Sequence, residues 1–104
     1  MATFIESSVF ARIRPAYLDD DEYVALQQHL QTEPSAGPVV PGSGGVRKLR
    51  GARAGMGKRG GFRVIYLVQH EQMGFWMDTL YSKSREANVP GHVLRKLVEA
   101  FRDG

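Results

Sequence analysis

The sequence predicts an α+β fold: a small antiparallel sheet with helices on one face, in the order β-α-α-β-β-β-α. Two changes of hydrophobic period carry that reading. Apolar residues recur at helical spacing over the first third, at strand spacing between Val46 and Ser82, and at helical spacing again after Pro90. At 104 residues the chain suits one domain, residues 1–104, with no room for a second independent core. Hydrophobic residues make up 42% and charged residues 24%, which is globular composition and excludes wholesale disorder.

Thr3 to Ile5 reads as a short edge strand. Ser7 or Ser8 can then cap a helix with Val9, Phe10, Ile13 and Tyr17 on one side, which Arg14–Pro15 breaks or kinks. Asp19, Asp20, Asp21 and Glu22 suit the start of a second helix, where exposed amides favour negative charge, and Tyr23, Leu26 and Leu30 form its apolar stripe. That helix stops before Pro34. Residues 34–45 hold three Pro and four Gly and read as a loop. Val46 to Ala52, Phe62 to Gln69 and Phe75 to Ser82 then read as three strands of an antiparallel meander. The first connection is glycine-rich and basic; the second, near His70 to Gly74, is a short hairpin turn. Pro90 can occupy the first turn of a last helix, whose residues Val93, Leu94, Leu97, Val98 and Phe101 make one apolar stripe for the sheet to cover.

Charge is segregated along this frame. Residues 1–33 carry two basic and six acidic side chains, and residues 71–104 carry five of each. Residues 34–70 hold Arg47, Lys48, Arg50, Arg53, Lys58, Arg59 and Arg63 with no Asp or Glu. A solvated charged face usually mixes both signs, so an unmixed cluster of this size favours a polyanionic partner. The absence of Cys excludes disulfides, thiolate nucleophiles, iron–sulfur clusters and Cys-ligated zinc. No apolar run approaches the ~18 residues that span a bilayer, and Met1 to Arg12 lacks a signal-peptide layout, so a cytoplasmic protein with no membrane partner is expected.

Few motifs survive inspection. Gly55 to Gly60 matches G-x-G-x-x-G, but a strand follows it where a dinucleotide site needs a helix. Ala52 and Arg59 stand where a phosphate-binding P-loop needs Gly and Ser or Thr. What remains is a hairpin loop whose Arg53, Lys58 and Arg59 can follow a phosphodiester chain. His29, His70 and His92 lack metal-type spacing and read as surface residues, and no nucleophile elbow is present. Asp78, among apolar neighbours, reads as a paired structural carboxylate. Strand alternation puts Lys48 and Arg50 on one face, with Arg63 close across the hairpin and Tyr81 sharing a face with Lys83. With helices on the other face, these groups would line an open cationic groove with an aromatic ring available to stack on a base.

Gly44-Gly45-Val46-Arg47-Lys48-Leu49-Arg50, then Gly57-Lys58-Arg59-Gly60-Gly61-Phe62-Arg63-Val64-Ile65-Tyr66, then Thr79-Leu80-Tyr81-Ser82-Lys83 resemble the RelE/ParE superfamily of type II toxins, and within it the HigB-like branch. The resemblance covers almost the whole chain, and the G-K-R-G-G-x-R-x-I-Y segment is its most specific part. It implies a RelE-like fold and a ribosome-dependent mRNA endonuclease (an mRNA interferase) that stops translation without metal or other cofactor. It also implies a cognate antitoxin, typically a helix-turn-helix DNA-binding protein of the HigA kind. Lys48, Arg50 and Arg63 match the family's strand lysine, the arginine two residues on and the central-strand arginine. Lys83 is followed by Ser84, and Pro90 stands where the family's late tyrosine is expected, which leaves Arg85 or Tyr81 as substitutes. Arg47 joins Arg53, Lys58, Arg59 and Arg85 as expected RNA or ribosome contacts.

Metal-free RNA cleavage by the 2′-OH needs a base, charge stabilisation at phosphorus and an acid for the leaving 5′ oxygen. Arginine can only stabilise or position; a lysine crowded by cations can offer a neutral amine. Lys48 beside Arg50 and Arg63 meets that condition, with Lys83 and Tyr81 as candidates for leaving-group protonation or base stacking. The ParE branch acts on DNA gyrase with the same fold, so a gyrase inhibitor or a non-catalytic basic RNA-binding module is the alternative.

Overall fold

A computed structural model of the chain describes residues 2–52, 61–69, 71, 74–82 and 91–103. Strand β1 (Thr3–Glu6) leads into helix α1 (Ser8–Ile13), a 3-10 turn (Arg14–Ala16) and helix α2 (Asp20–Thr32). Strands β2 (Arg47–Ala52), β3 (Gly61–Gln69) and β4 (Gly74–Ser82) follow, and helix α3 (Gly91–Asp103) closes the chain. None of the helices described is long and apolar enough to cross a membrane.

Local chemistry sets the helix boundaries. The Phe10 N–H donates to the Ser7 hydroxyl at 2.9 Å, so Ser7 is the cap of α1. Pro15 lacks the N–H that an α-helix would need, and the chain tightens there into the 3-10 turn. Asp19 and Glu22 form a reciprocal capping box on α2, through bonds of 2.7 and 2.9 Å. The Arg14 guanidinium ties the turn to α2: it donates to the Leu18 carbonyl and to Asp20, each at 3.0 Å, and lies 5.0 Å from the Tyr23 ring centre.

The four strands form one sheet in the order β1-β4-β3-β2. β2, β3 and β4 are the expected antiparallel meander, but β1 pairs parallel to β4, so the sheet is mixed rather than antiparallel. The meander begins at the far edge and walks back to β1, arriving in the same direction. The whole stretch between β1 and β4 serves as the long crossover that parallel pairing requires.

The expectation of helices on one face is also corrected. On one face Phe62, Val64, Tyr66, Phe75, Met77 and Leu80 pack with Phe10, Leu18, Tyr23 and Leu30 of the α1–α2 segment. On the other, Ile65, Leu67 and Val46 pack with Leu94 of α3. The physical reason lies in β3, whose consecutive residues Val64, Ile65, Tyr66 and Leu67, facing the two sides in turn, are all buried. A central strand apolar on both sides needs cover on both faces. Phe62 fits because Gly51 lies opposite it: a Cβ at Gly51 would come within 2.5 Å of the Phe62 ring.

Residues 34–45 form an ordered strap along the outer edge of β2. The Lys48 N–H donates to the Pro38 carbonyl at 3.0 Å and the Val40 N–H to the Val46 carbonyl at 2.8 Å. Val39 bridges Arg47 in antiparallel fashion. The strap then turns through Gly42, Gly44 and Gly45, whose φ values of 75°, 77° and 104° suit only glycine. The buried Ser43 hydroxyl donates to the Val40 carbonyl at 2.6 Å and accepts the Val46 N–H at 3.0 Å. Gly91, opening α3, lies so close that a Cβ would sit 2.1 Å from the Pro41 carbonyl oxygen, so the strap seats α3 as well.

Candidate nucleic-acid interface

Pairing register places the basic side chains. Arg50 of β2 pairs with Arg63 of β3, and Arg63 with Tyr81 of β4, giving one row across three strands. The next row is Lys48, Ile65 and Thr79. Two residues along a strand return to the same face, so Lys48, Arg50, Arg63 and Tyr81 share the face against which α3 packs. The grouping drawn from alternation therefore stands for these four. The groove does not: α3 occupies part of this face, with Leu94 against Ile65 and Leu67. The basic row is a platform beside α3 rather than an open groove.

Arg50 is exposed; Lys48, Arg63 and Tyr81 are half-buried. Tyr81 packs at the margin of the Leu94 cluster. The Arg63 guanidinium reaches the Phe62 carbonyl at 3.4 Å, and among the described residues neither Arg50 nor Arg63 forms an ion pair with a carboxylate. Two arginines in directly paired positions repel each other. An anion between them would relieve that repulsion, and a phosphate accepts several charge-assisted hydrogen bonds at once.

Arg47 stands apart from its neighbours. As the partner of Tyr66 it belongs to the α1–α2 face, and its guanidinium donates to the Gly37 carbonyl at 2.8 Å. It ties the strap rather than joining the platform. Arg53, Lys58, Arg59, Lys83 and Arg85, with His70 and Pro90, lie outside the described residues, as do the side chains of Leu97, Val98 and Phe101. His29 and His92 are exposed.

Asp78 departs from the expectation of a paired carboxylate. Ile65 pairs with Thr79 and Tyr66 with Met77, which leaves Asp78 as the extra residue of a β-bulge. It is 6% exposed, and among the described residues its Oδ2 has no hydrogen-bond partner. Burial pushes its carboxyl up from 3.8 to about 6. Among the described residues its bonding runs through the backbone: the Ser7 hydroxyl donates to the Asp78 carbonyl and the Ser7 N–H to that of Met77. The helix cap is thus also the anchor between α1 and β4.

One polar device joins residues about thirty positions apart, beyond the reach of any local sequence pattern. The Tyr66 hydroxyl, buried in the central strand, accepts the Gly37 N–H at 3.0 Å and donates to the Pro34 carbonyl at 2.8 Å. The signal was a tyrosine inside an otherwise apolar strand, since a buried phenol needs a partner. No protein-family model matches the chain.

Proposed function

We propose that the protein is the toxin of a type II toxin–antitoxin pair, of the HigB-like branch of the RelE/ParE superfamily, and cleaves mRNA on the ribosome in the cytoplasm. The observation that carries this reading is the Arg50–Arg63–Tyr81 row with Lys48 one row away, all on one sheet face. The resemblance of these segments to that family adds the reaction. Arg50 and Arg63 hold the scissile phosphate and offset charge on its oxygens in the transition state. Lys48 takes the proton of the 2′-OH as its oxygen attacks phosphorus. The bond to the 5′ oxygen breaks, a proton is delivered to that oxygen, and a 2′,3′-cyclic phosphate is left. Tyr81 or Lys83 supplies the leaving-group proton or stacks on the base.

Arg53, Lys58 and Arg59 add affinity for RNA and ribosome. A cognate antitoxin, a HigA-like helix-turn-helix protein, holds the toxin in check through the cationic surface. The experiment is direct: purified protein is added to translating ribosomes and the mRNA is mapped for new ends. Cut mRNA supports the nuclease; intact mRNA on stalled ribosomes, or unaffected translation, favours a binding module or gyrase inhibitor and overturns it.

A further inference from the structure

We infer that Tyr66 and Gly37 form a clasp that positions Lys48 and Arg50 for nucleic acid, an inference that rests on the functional reading above. Neither residue contributes a side chain to the platform. Tyr66 lies on the opposite face, fully buried, with its ring against Phe75 at a centroid distance of 6.3 Å. Its hydroxyl, reaching past the β2 edge, accepts the Gly37 N–H at 3.0 Å and donates to the Pro34 carbonyl at 2.8 Å. Arg47, its cross-strand partner, donates to the Gly37 carbonyl at 2.8 Å. Both polar groups of Gly37 are therefore held by one cross-strand pair.

The glycine itself is required by proximity. A Cβ at position 37 would stand 2.9 Å from the Lys48 carbonyl carbon and 3.0 Å from the Leu49 nitrogen. Only a residue without a side chain lets the strap lie that close to β2. The clasped strap pairs with the outer edge of β2 through the Lys48 N–H to Pro38 carbonyl bond of 3.0 Å. Lys48 and Arg50 consequently project from a strand held on both sides, by β3 within and by the strap without. Fixing their backbone during folding removes an ordering cost that binding would otherwise bear. The clasp thus raises affinity without adding a charge.

That distinction supplies the test. Binding of a fluorescently labelled 12-nucleotide single-stranded RNA is measured by anisotropy across a salt series for the wild-type protein, Tyr66→Phe, Gly37→Ala and Lys48→Gln. Amide hydrogen exchange is followed in parallel. Tyr66→Phe should weaken binding about tenfold at each salt concentration with the log–log salt slope unchanged, because no phosphate contact is removed. Lys48→Gln should instead flatten the slope by about one unit. Exchange at Lys48 should quicken in Tyr66→Phe while β3–β4 amides stay protected. Gly37→Ala, which acts from the strap and spares the hydrophobic clusters, should reproduce the effect and decides the matter if Tyr66→Phe does not fold. Wild-type affinity in the variants despite quickened Lys48 exchange, or a flattened slope in Tyr66→Phe, overturns the clasp alone. A wild-type protein that binds no free RNA overturns the clasp as a device for RNA affinity, whereas the functional reading falls only if mRNA stays intact on translating ribosomes.

Discussion

Lys48 and Asp78 each make a sharp claim at the scale of one side chain. If Lys48 takes the 2′-OH proton, charge alone will not replace it, since arginine cannot release its proton at any working pH. Lys48→Arg should then be nearly as inactive as Lys48→Ala, each slower in single-turnover cleavage by about 10²-fold or more. Near-normal cleavage by Lys48→Arg would move the base elsewhere. Asp78 bears on stability. Its carboxyl titrates at about 6 in the folded protein against an ordinary 3.8, so the folded state holds its proton more tightly. Stability from that difference is complete below about pH 4 and is lost as pH rises through about 6. Asp78→Asn removes the buried charge and should stabilise the protein at pH 8 by at most about 3 kcal/mol, with the advantage vanishing near pH 4. Urea midpoints at the two pH values check this; an equal difference at both contradicts it.

Elements were legible where the chain's own neighbours define them. Ser7, Pro15 and the Asp19–Glu22 box set the ends of α1 and α2 through bonds to residues three or fewer positions away, and all stood in the sequence. Two-residue alternation likewise placed Lys48, Arg50, Arg63 and Tyr81 together. Features fixed by distant partners were not legible. Parallel pairing of β1 with β4 depends on where the meander begins, and the position of α3 depends on Ile65 and Leu67 needing cover. The Gly37 contact joins residues whose relation no local pattern reveals. Gly51 shows the same dependence across two strands. Gly51→Ala drives a methyl into the Phe62 ring, which also packs on Tyr17 at a centroid distance of 5.8 Å. Overpacking of this kind should destabilise by about 1–3 kcal/mol, read from the denaturant midpoint. A neutral result would mean that Phe62 turns aside without loss.

Across the whole molecule, charge follows the architecture. The acidic residues Asp20, Asp21 and Glu22 open α2, which packs on one face, whereas Lys48, Arg50 and Arg63 occupy the other. Among the described residues neither Arg50 nor Arg63 is ion-paired to a carboxylate, and cations gathered on one side of a small domain attract polyanions. The most direct test of the central claim is single-turnover cleavage of ribosome-bound mRNA by wild-type protein and Arg63→Ala at matched occupancy. Arg63 anchors the middle of the row, so its loss should slow cleavage about 10²-fold or more while the fold persists. Wild-type products should end in a 2′,3′-cyclic phosphate. Equal rates for the two proteins, or mRNA left intact by the wild type, would contradict the assignment of this face as the site of cleavage.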